Sequence, residues 1–310
     1  MHKPYAYVLV GPTAVGKTSI SIKLAQLMDA EIVSADSIQV YQGLDIGAAK
    51  PGQEEREGVP HHMLDIIGWE DGGFSVSVYQ RMAYVCVRDI LARGVQPLVV
   101  GGTGLYIQAL THPLHFANIP ADEAVRAELA ALEAGEPGAV YAMLQSVDPI
   151  TAGKLHPNDK KRVIRAVEVY KLAGKPMSDV ASDIHDSTQT DVPYNFVCAG
   201  LTLERTQLYD RIEKRVDDMM QNGLLQECEK IFSAKPGFDL PALQGLGYKQ
   251  LLQYMNNACT LEQAVYNIKL ETRRYAKRQL TWFRRHRNIR WFEADSPCVI
   301  QDILEYYQGT

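Results

Sequence analysis

Apolar residues along the first hundred positions fall into short β-rich runs separated by helically spaced stretches. "YAYVLV" (5–10) has the aromatic and β-branched content of a buried strand. The following "KTSISIKLAQLMDA" spaces its apolar residues as a helix does. "AEIVSAD" predicts a second strand ending at Asp36, and "HMLDII" a third. "YQRMAYVCVRDILARG" reads as a helix stopped by Gly94, and "VQPLVVGGTGLY" as a fourth strand running into a glycine-rich turn. Alternating strands and helices imply a parallel sheet covered on both faces, with ligands beyond the carboxyl ends of the strands. Gly11–Thr18, Asp36 and Gly101–Gly104 fall at such ends, so one cleft is expected to gather them.

The rhythm changes after "THPLHFANIPADE". From about Ile119 to Lys175 the signals are helical, with Asp122 as N-cap of a helix that stops near Gly135. "SDVASDIHDSTQTDVPYN" is polar and loop-like, and "FVCAGLTL" returns as a strand. The last third predicts helices over "RTQLYDRIEKRVDDMMQNG", "LLQECEKIFSA" and "LEQAVYNIKLETRRYAKRQLTWFRR", then a closing strand in "NIRWFEAD". The expected fold class is α/β: a core with a parallel sheet flanked by helices (residues 1–115 and 195–310, basic helices at its C-terminal end), carrying an inserted all-helical subdomain (116–194).

Composition narrows the class. With 46% hydrophobic and 22% charged residues among 310, the chain reads as globular rather than disordered or fibrous. Cys86, Cys198, Cys228, Cys259 and Cys298 are odd in number, far apart and without a CxxC pair, which argues against a disulfide framework or a structural zinc. His61 and His62 are adjacent and receive no metal assignment. The apolar runs are too short to span a bilayer, and "MHKPY" lacks a signal-peptide layout, so a cytoplasmic protein is expected.

The net charge of −5 hides an uneven distribution. Lys269, Arg273, Arg274, Lys277, Arg278, Arg284, Arg285, Arg287 and Arg290 face only Glu271 within their stretch. On the same helix Ile268, Tyr275 and Trp282 recur every seven residues as an apolar seam, leaving basic stripes outward. A face so poor in acids repels itself unless an anion lies on it, which points to nucleic acid. A second basic stretch, "NDKKRVIRAVEVYKLAGK", adds Lys161, Arg162 and Arg165. Lys161, Arg162, Arg165, Arg274 and Arg278 are the candidate contacts.

"GPTAVGKT" fits G-x-x-x-x-G-K-[ST], a phosphate loop (P-loop), between a predicted strand and a predicted helix. Gly11, Pro12, Thr13, Ala14, Val15 and Gly16 would wrap an anion, the glycines letting the backbone turn its N–H groups toward it. Lys17 would supply a point charge and Thr18 a hydroxyl for Mg²⁺. Asp36 could take a proton from a nucleophile, hold a metal-bound water, or cap a helix starting near Ser37. "GGTGLY" would let the backbone approach a ligand with Thr103 projecting, or simply serve packing. No acid closes that strand, which counts against an ordinary nucleotide hydrolase. Arg211 and Arg215 share a helix face.

In "GPTAVGKT", "SADSIQVYQGLDIGAAKP", "HHMLDI", "GGTGLYIQAL", "HPNDKKRVIRAVEV", "LYDRIEKRVDDM", "GLGYKQ" and "RRYAKRQLTWFRR" the chain resembles the bacterial tRNA dimethylallyltransferases, also called tRNA isopentenyltransferases. The resemblance implies transfer of a dimethylallyl group from dimethylallyl diphosphate to N6 of the adenosine 3′ of the anticodon, with Mg²⁺ and release of diphosphate. It implies that Gly11–Thr18 hold the diphosphate, that Asp36 is the base, and that Arg215 neutralises the leaving group. Asp36, Ser37, Ile38, Gln39, Thr103 and Arg126 would contact tRNA. No membrane partner is implied, and a monomer is expected. Ala48 in "DIGAAKP" and the glycine pair in "IIGWEDGGFSV" depart from the usual pattern. Small-molecule kinase, adenine-nucleotide prenyltransferase and non-catalytic RNA-binding module remain as alternatives.

Overall fold

A computed structural model of the chain describes residues 3–71, 74–112, 119, 121–180, 192–234 and 240–309. The Gly72–Gly73 pair, most of the polar stretch after Ser178 and the expected boundary at residue 116 lie outside the described residues. The chain divides into two compact units, one of Met1–His112 with Val192–Thr310 and one of Pro113–Asp191.

In chain order the strands are β1 (Tyr5–Val10), β2 (Ala30–Ser34), β3 (Tyr41–Gln42), β4 (His61–His62), β5 (Ile67–Gly68), β6 (Gln96–Gly101), β7 (Asn195–Thr202) and β8 (Ile289–Glu293). Six form one sheet in the order β4-β2-β6-β1-β7-β8, with every ladder parallel; β3 and β5 pair separately. The helices of this unit are α1 (Lys17–Met28), α2 (Val76–Ala92) and α3 (Gly104–Thr111) before the second unit. The second unit holds α4 (Glu123–Gly135), α5 (Ala139–Val147), α6 (Pro149–Ala152) and α7 (Lys160–Ala173). The chain then returns through α8 (Arg205–Gln221), α9 (Leu224–Ser233), α10 (Tyr248–Met255), α11 (Leu261–Phe283) and α12 (Val299–Gln308).

Strand periodicity explains the two sheet faces. Leu9 joins a core with Ile20 and Leu24 of α1, Leu208 and Ile212 of α8 and Ile303 of α12. Ala6, Val8 and Val10, pointing the other way, join Tyr79, Ala83 and Val87 of α2, Leu110 of α3 and Phe283 of α11. A third core binds Val40, Tyr41 and Leu44 to Val216, Leu224, Tyr248 and Ile268. The helical unit has its own core of Leu129, Val140, Leu144, Ala152, Val163, Ala166 and Val167. Among the described residues no helix is long and apolar enough to cross a membrane.

Two expectations need correction. "HMLDII" is not one strand: Met63 and Asp65 take left-handed φ values of 62° and 53°, which end the ladder after His62. Ile67–Gly68 then pairs with Tyr41–Gln42 instead. β2 stops at Ser34, two residues short of Asp36.

Candidate active site

The loop Gly11–Thr18 leaves the end of β1 and turns into α1. Val15 is buried in the core beneath it, while Ala14 (φ 63°) and Gly16 (φ 101°) take left-handed conformations that wind the backbone back on itself. Gly16 caps α1 without a side-chain hydrogen bond, so the first helical N–H groups and the positive end of the helix stay available to an anion. A cavity of about 410 Å³ opens over this loop, lined also by Asp36–Gln39, Gly47–Ala49, Gly102, Arg215, Tyr275, Arg278 and Gln279.

Three cationic side chains, Lys17, Arg215 and Arg278, line the cavity. Lys17 Nζ donates to the carbonyls of Gly11 (2.9 Å) and Pro12 (2.8 Å), curling back along the loop. Burial and the neighbouring Arg215 push its pKa down to about 7, against the pull of Asp36. Burial also lowers Arg215 from the ordinary arginine value, with Asp36 and Glu55 opposing. Two mutually unfavourable cations are stabilised by an anion bound between them. Arg211, one turn earlier on α8, is exposed and ion-paired to Asp295, so Arg215 is the arginine of the pair that lines the cavity.

Asp36 divides its carboxylate. Oδ1 accepts from the N–H groups of Ile38 (2.8 Å) and Gln39 (3.3 Å), closing a turn rather than capping a helix. Among the described residues Oδ2 takes no hydrogen bond, so it is available to a ligand. Thr103 Oγ1 accepts from Ser37 N–H (3.0 Å) and fixes that turn from the other side. Gln39 is spent internally: Oε1 accepts from Ser34 (2.9 Å), and Nε2 donates to the carbonyls of Ala48 and Ala49 (both 3.2 Å). Tyr275 faces the same group. Burial and then the Asp36 carboxylate raise its pKa, while Thr103, Arg278 and Gln279 pull it back.

Thr18 and Asp36 bring hydroxyl and carboxylate oxygens to the cavity, a donor set that suits a hard cation. Among the described residues no group of three or more His, Cys, Asp or Glu could hold a metal ion. A cation here would therefore complete its shell from water and a phosphate ligand, as Mg²⁺ does.

Two residues that sequence reasoning did not single out, Gln279 and Glu227, shape the site. Gln279, buried on α11, accepts from Thr13 N–H of the loop (2.8 Å) and donates to Gly102 O (2.9 Å). A Cβ on Gly102 would lie 2.3 Å from Gln279 Nε2, and one on Gly104 2.4 Å from Trp282 Cδ1, so these glycines admit helix α11. Glu227 accepts from the N–H groups of Asp45 (2.9 Å), Ile46 (2.8 Å) and Gly47 (3.1 Å) and from the Tyr248 hydroxyl (2.6 Å), holding the loop that forms the far wall. The sequence signal for Gln279 lies in its spacing. Ile268, Thr272, Ala276, Gln279 and Phe283 make the buried face of α11, so Thr272 and Gln279 are polar residues on an apolar stripe.

The basic faces are more fully paired than their local sequence implies. Lys269 and Arg273 reach Asp217 (2.7 Å) and Glu213 (3.0 Å) on α8. Arg274 pairs with Glu271 (2.5 Å); Arg278 is exposed over the Tyr275 ring (5.8 Å). In the helical unit, Arg126 Nε (3.0 Å) and Arg165 Nη1 (2.7 Å) both donate to the buried Glu168. Lys161 is exposed, and Arg162 pairs with Asp159 (3.3 Å).

A parallel α/β sheet with a glycine-rich anion loop and an adjacent carboxylate defines the class of site. The family model described as IPP transferase matches residues 39–286. A tRNA dimethylallyltransferase of Pelotomaculum thermopropionicum is 42% identical over 306 residues, covering 97% of this chain and 96% of that protein. The crystal structure of a full-length tRNA isopentenylpyrophosphate transferase from Bacillus halodurans superposes with a TM-score of 0.73 at 41% identity, covering 99% of this chain and 96% of its own. A eukaryotic dimethylallyltransferase acting on tRNA gives a TM-score of 0.77 at 30% identity, covering 94% of this chain and 74% of its own. The chain belongs to the IPP transferase family.

Proposed function

We propose that this protein transfers a dimethylallyl group from dimethylallyl diphosphate to N6 of the adenosine 3′ of the anticodon in a tRNA, releasing diphosphate. The observation that carries the reading is the free Asp36 oxygen in one cavity with Lys17, Arg215 and the uncapped N-terminus of α1. Relatives named tRNA dimethylallyltransferase at 42% identity support it.

An adenine amine is a weak nucleophile, because its lone pair is delocalised into the ring. The electrophile must therefore be activated. As the allylic C–O bond breaks, the electron pair departs with the diphosphate. Lys17, Arg215 and the loop N–H groups stabilise that developing charge. N6 forms the new C–N bond, and its proton passes to Asp36 Oδ2. Mg²⁺, held by Thr18 and phosphate oxygens, would add further neutralisation of the leaving group. The walls formed by Ile212, Val216 and Ile268 keep water from the allyl carbon. Arg274 and Arg278 beside the cavity, and Lys161 and Arg162 in the helical unit, are read as tRNA contacts. Arg126 and Arg165 are read as contacts held by Glu168. We take the enzyme to act as a cytoplasmic monomer.

The deciding experiment incubates the protein with bulk tRNA, Mg²⁺ and labelled dimethylallyl diphosphate, then identifies the labelled nucleoside. N6-dimethylallyl adenosine with one diphosphate released per transfer is expected. Label retained only on AMP, or ADP formed from ATP with a small acceptor, would replace this reading with one of its alternatives.

A further inference from the structure

We infer that Gln279 is a positioning residue that sets the distance between the leaving-group loop and the acceptor side of the cavity; the inference rests on the reaction proposed above. Its amide spans two segments, at Thr13 and at Gly102, that lie far apart in the chain. Oε1 takes the Thr13 N–H, and Nε2 gives to Gly102 O. The next residue, Thr103, holds Ser37 N–H, and Ser37 adjoins Asp36. Three hydrogen bonds, joined by the Gly102–Thr103 and Ser37–Asp36 backbone steps, therefore connect the diphosphate loop to the residue that takes the proton in the proposed reaction. Only 6% of the residue is exposed, so both links are held with little competition from water. Gly102 has no side chain where Gln279 sits, and a Cβ there would displace the amide nitrogen. The linkage also uses a loop N–H that would otherwise be directed to an anion. An orphaned N–H in its place would be costly, which makes the link one of alignment rather than of phosphate binding.

Loosening this link should separate leaving-group departure from capture by adenine. When the allylic carbon loses diphosphate out of line with N6, water takes its place. The water oxygen bonds to that carbon, a water proton goes to solvent, and dimethylallyl alcohol forms with free diphosphate. Gln279→Met keeps the side-chain volume and removes both hydrogen bonds. The expected result is a folded protein whose thermal midpoint falls by several degrees, because Thr13 N–H and Gly102 O lose their partner, with affinities for pyrophosphate and tRNA within about threefold. Prenyl transfer should fall about 10²-fold, the order expected for a misplacement near 1 Å. A measurable share of the turned-over donor should end as dimethylallyl alcohol. Transfer within about threefold of wild type, or a loss that follows substrate affinity alone, overturns the inference. Thr103→Val cuts the next link. The losses of the double variant should fall short of the sum of the singles, because both act on one connection, and additive losses overturn it. This comparison holds even where one variant is less stable. If wild type forms no prenylated adenosine, the proposed reaction itself fails. If wild type transfers and Gln279→Met transfers equally, only the role of Gln279 fails.

Discussion

Asp36 holds its turn with one oxygen and, in the proposed reaction, takes the proton with the other. Asparagine can keep Oδ1 as the acceptor for Ile38 and Gln39 while abolishing the base, so Asp36→Asn should fold as wild type. Single-turnover transfer should fall by about 10²–10⁴-fold, the usual span for losing a general base. Pyrophosphate should bind more tightly to the variant, since a carboxylate facing Lys17 and Arg215 opposes an incoming anion; calorimetry reads the change. Sequence alone left three tasks open for this residue. Position at a strand end marked it as a candidate, but the turn to Ile38 and the Thr103 brace depend on backbone geometry that spacing does not encode. Gln39 shows a commitment that its place in the motif did not reveal. It sat in the motif expected to meet tRNA, yet its amide binds Ser34, Ala48 and Ala49.

At the scale of elements, local periodicity located most strands and helices and failed where contacts were distant. Asp122 could be named as an N-cap because the cap is local, and it accepts from Ala124 and Val125. α12 and α10 drew no separate prediction. The partners of Lys269 and Arg273 lie on α8, more than fifty residues away, so the shortage of acids around α11 was only a local shortage. Arg274 and Arg278 therefore carry the test of the basic face. Replacing both with Ala should weaken tRNA binding and reduce the slope of log K against log salt by about 1–2, at roughly 0.7–0.9 per lost phosphate contact. Beside the edge strand β4, Glu31 on β2 is gripped by Arg93 and by His62 (2.6 Å), and its pKa falls to about 2, chiefly through the Arg93 hydrogen bond. The unfolded chain binds this proton at higher pH than the folded one. The stability contribution is complete above the usual glutamate value of 4.5 and is lost as pH drops toward 2. Glu31→Gln should lower stability at neutral pH and flatten the acid limb of denaturant midpoints over that window.

At the scale of the whole molecule, the two units keep separate cores. Leu144→Ala, at a fully buried position of the helical unit, should cost that unit about 2–5 kcal/mol by denaturant unfolding. Pyrophosphate affinity should stay within twofold, since the residues that line the cavity belong to the other unit. The alternation of strands and helices made the sheet legible in the sequence, its closing strand included, whereas the helix α12 that packs on it was not. Tyr307 of α12 donates its hydroxyl to Val8 O of β1 at 2.8 Å, a link between residues 299 positions apart. At a ribosomal rate of about 5–20 residues per second, Val8 emerges roughly 15–60 s before Tyr307 exists. For that interval the strand that carries the anion loop lacks its final cover. Nascent chains stalled before position 307 should be more readily cleaved by added protease near β1 than chains released in full, which makes translation itself the clock for completing this catalyst.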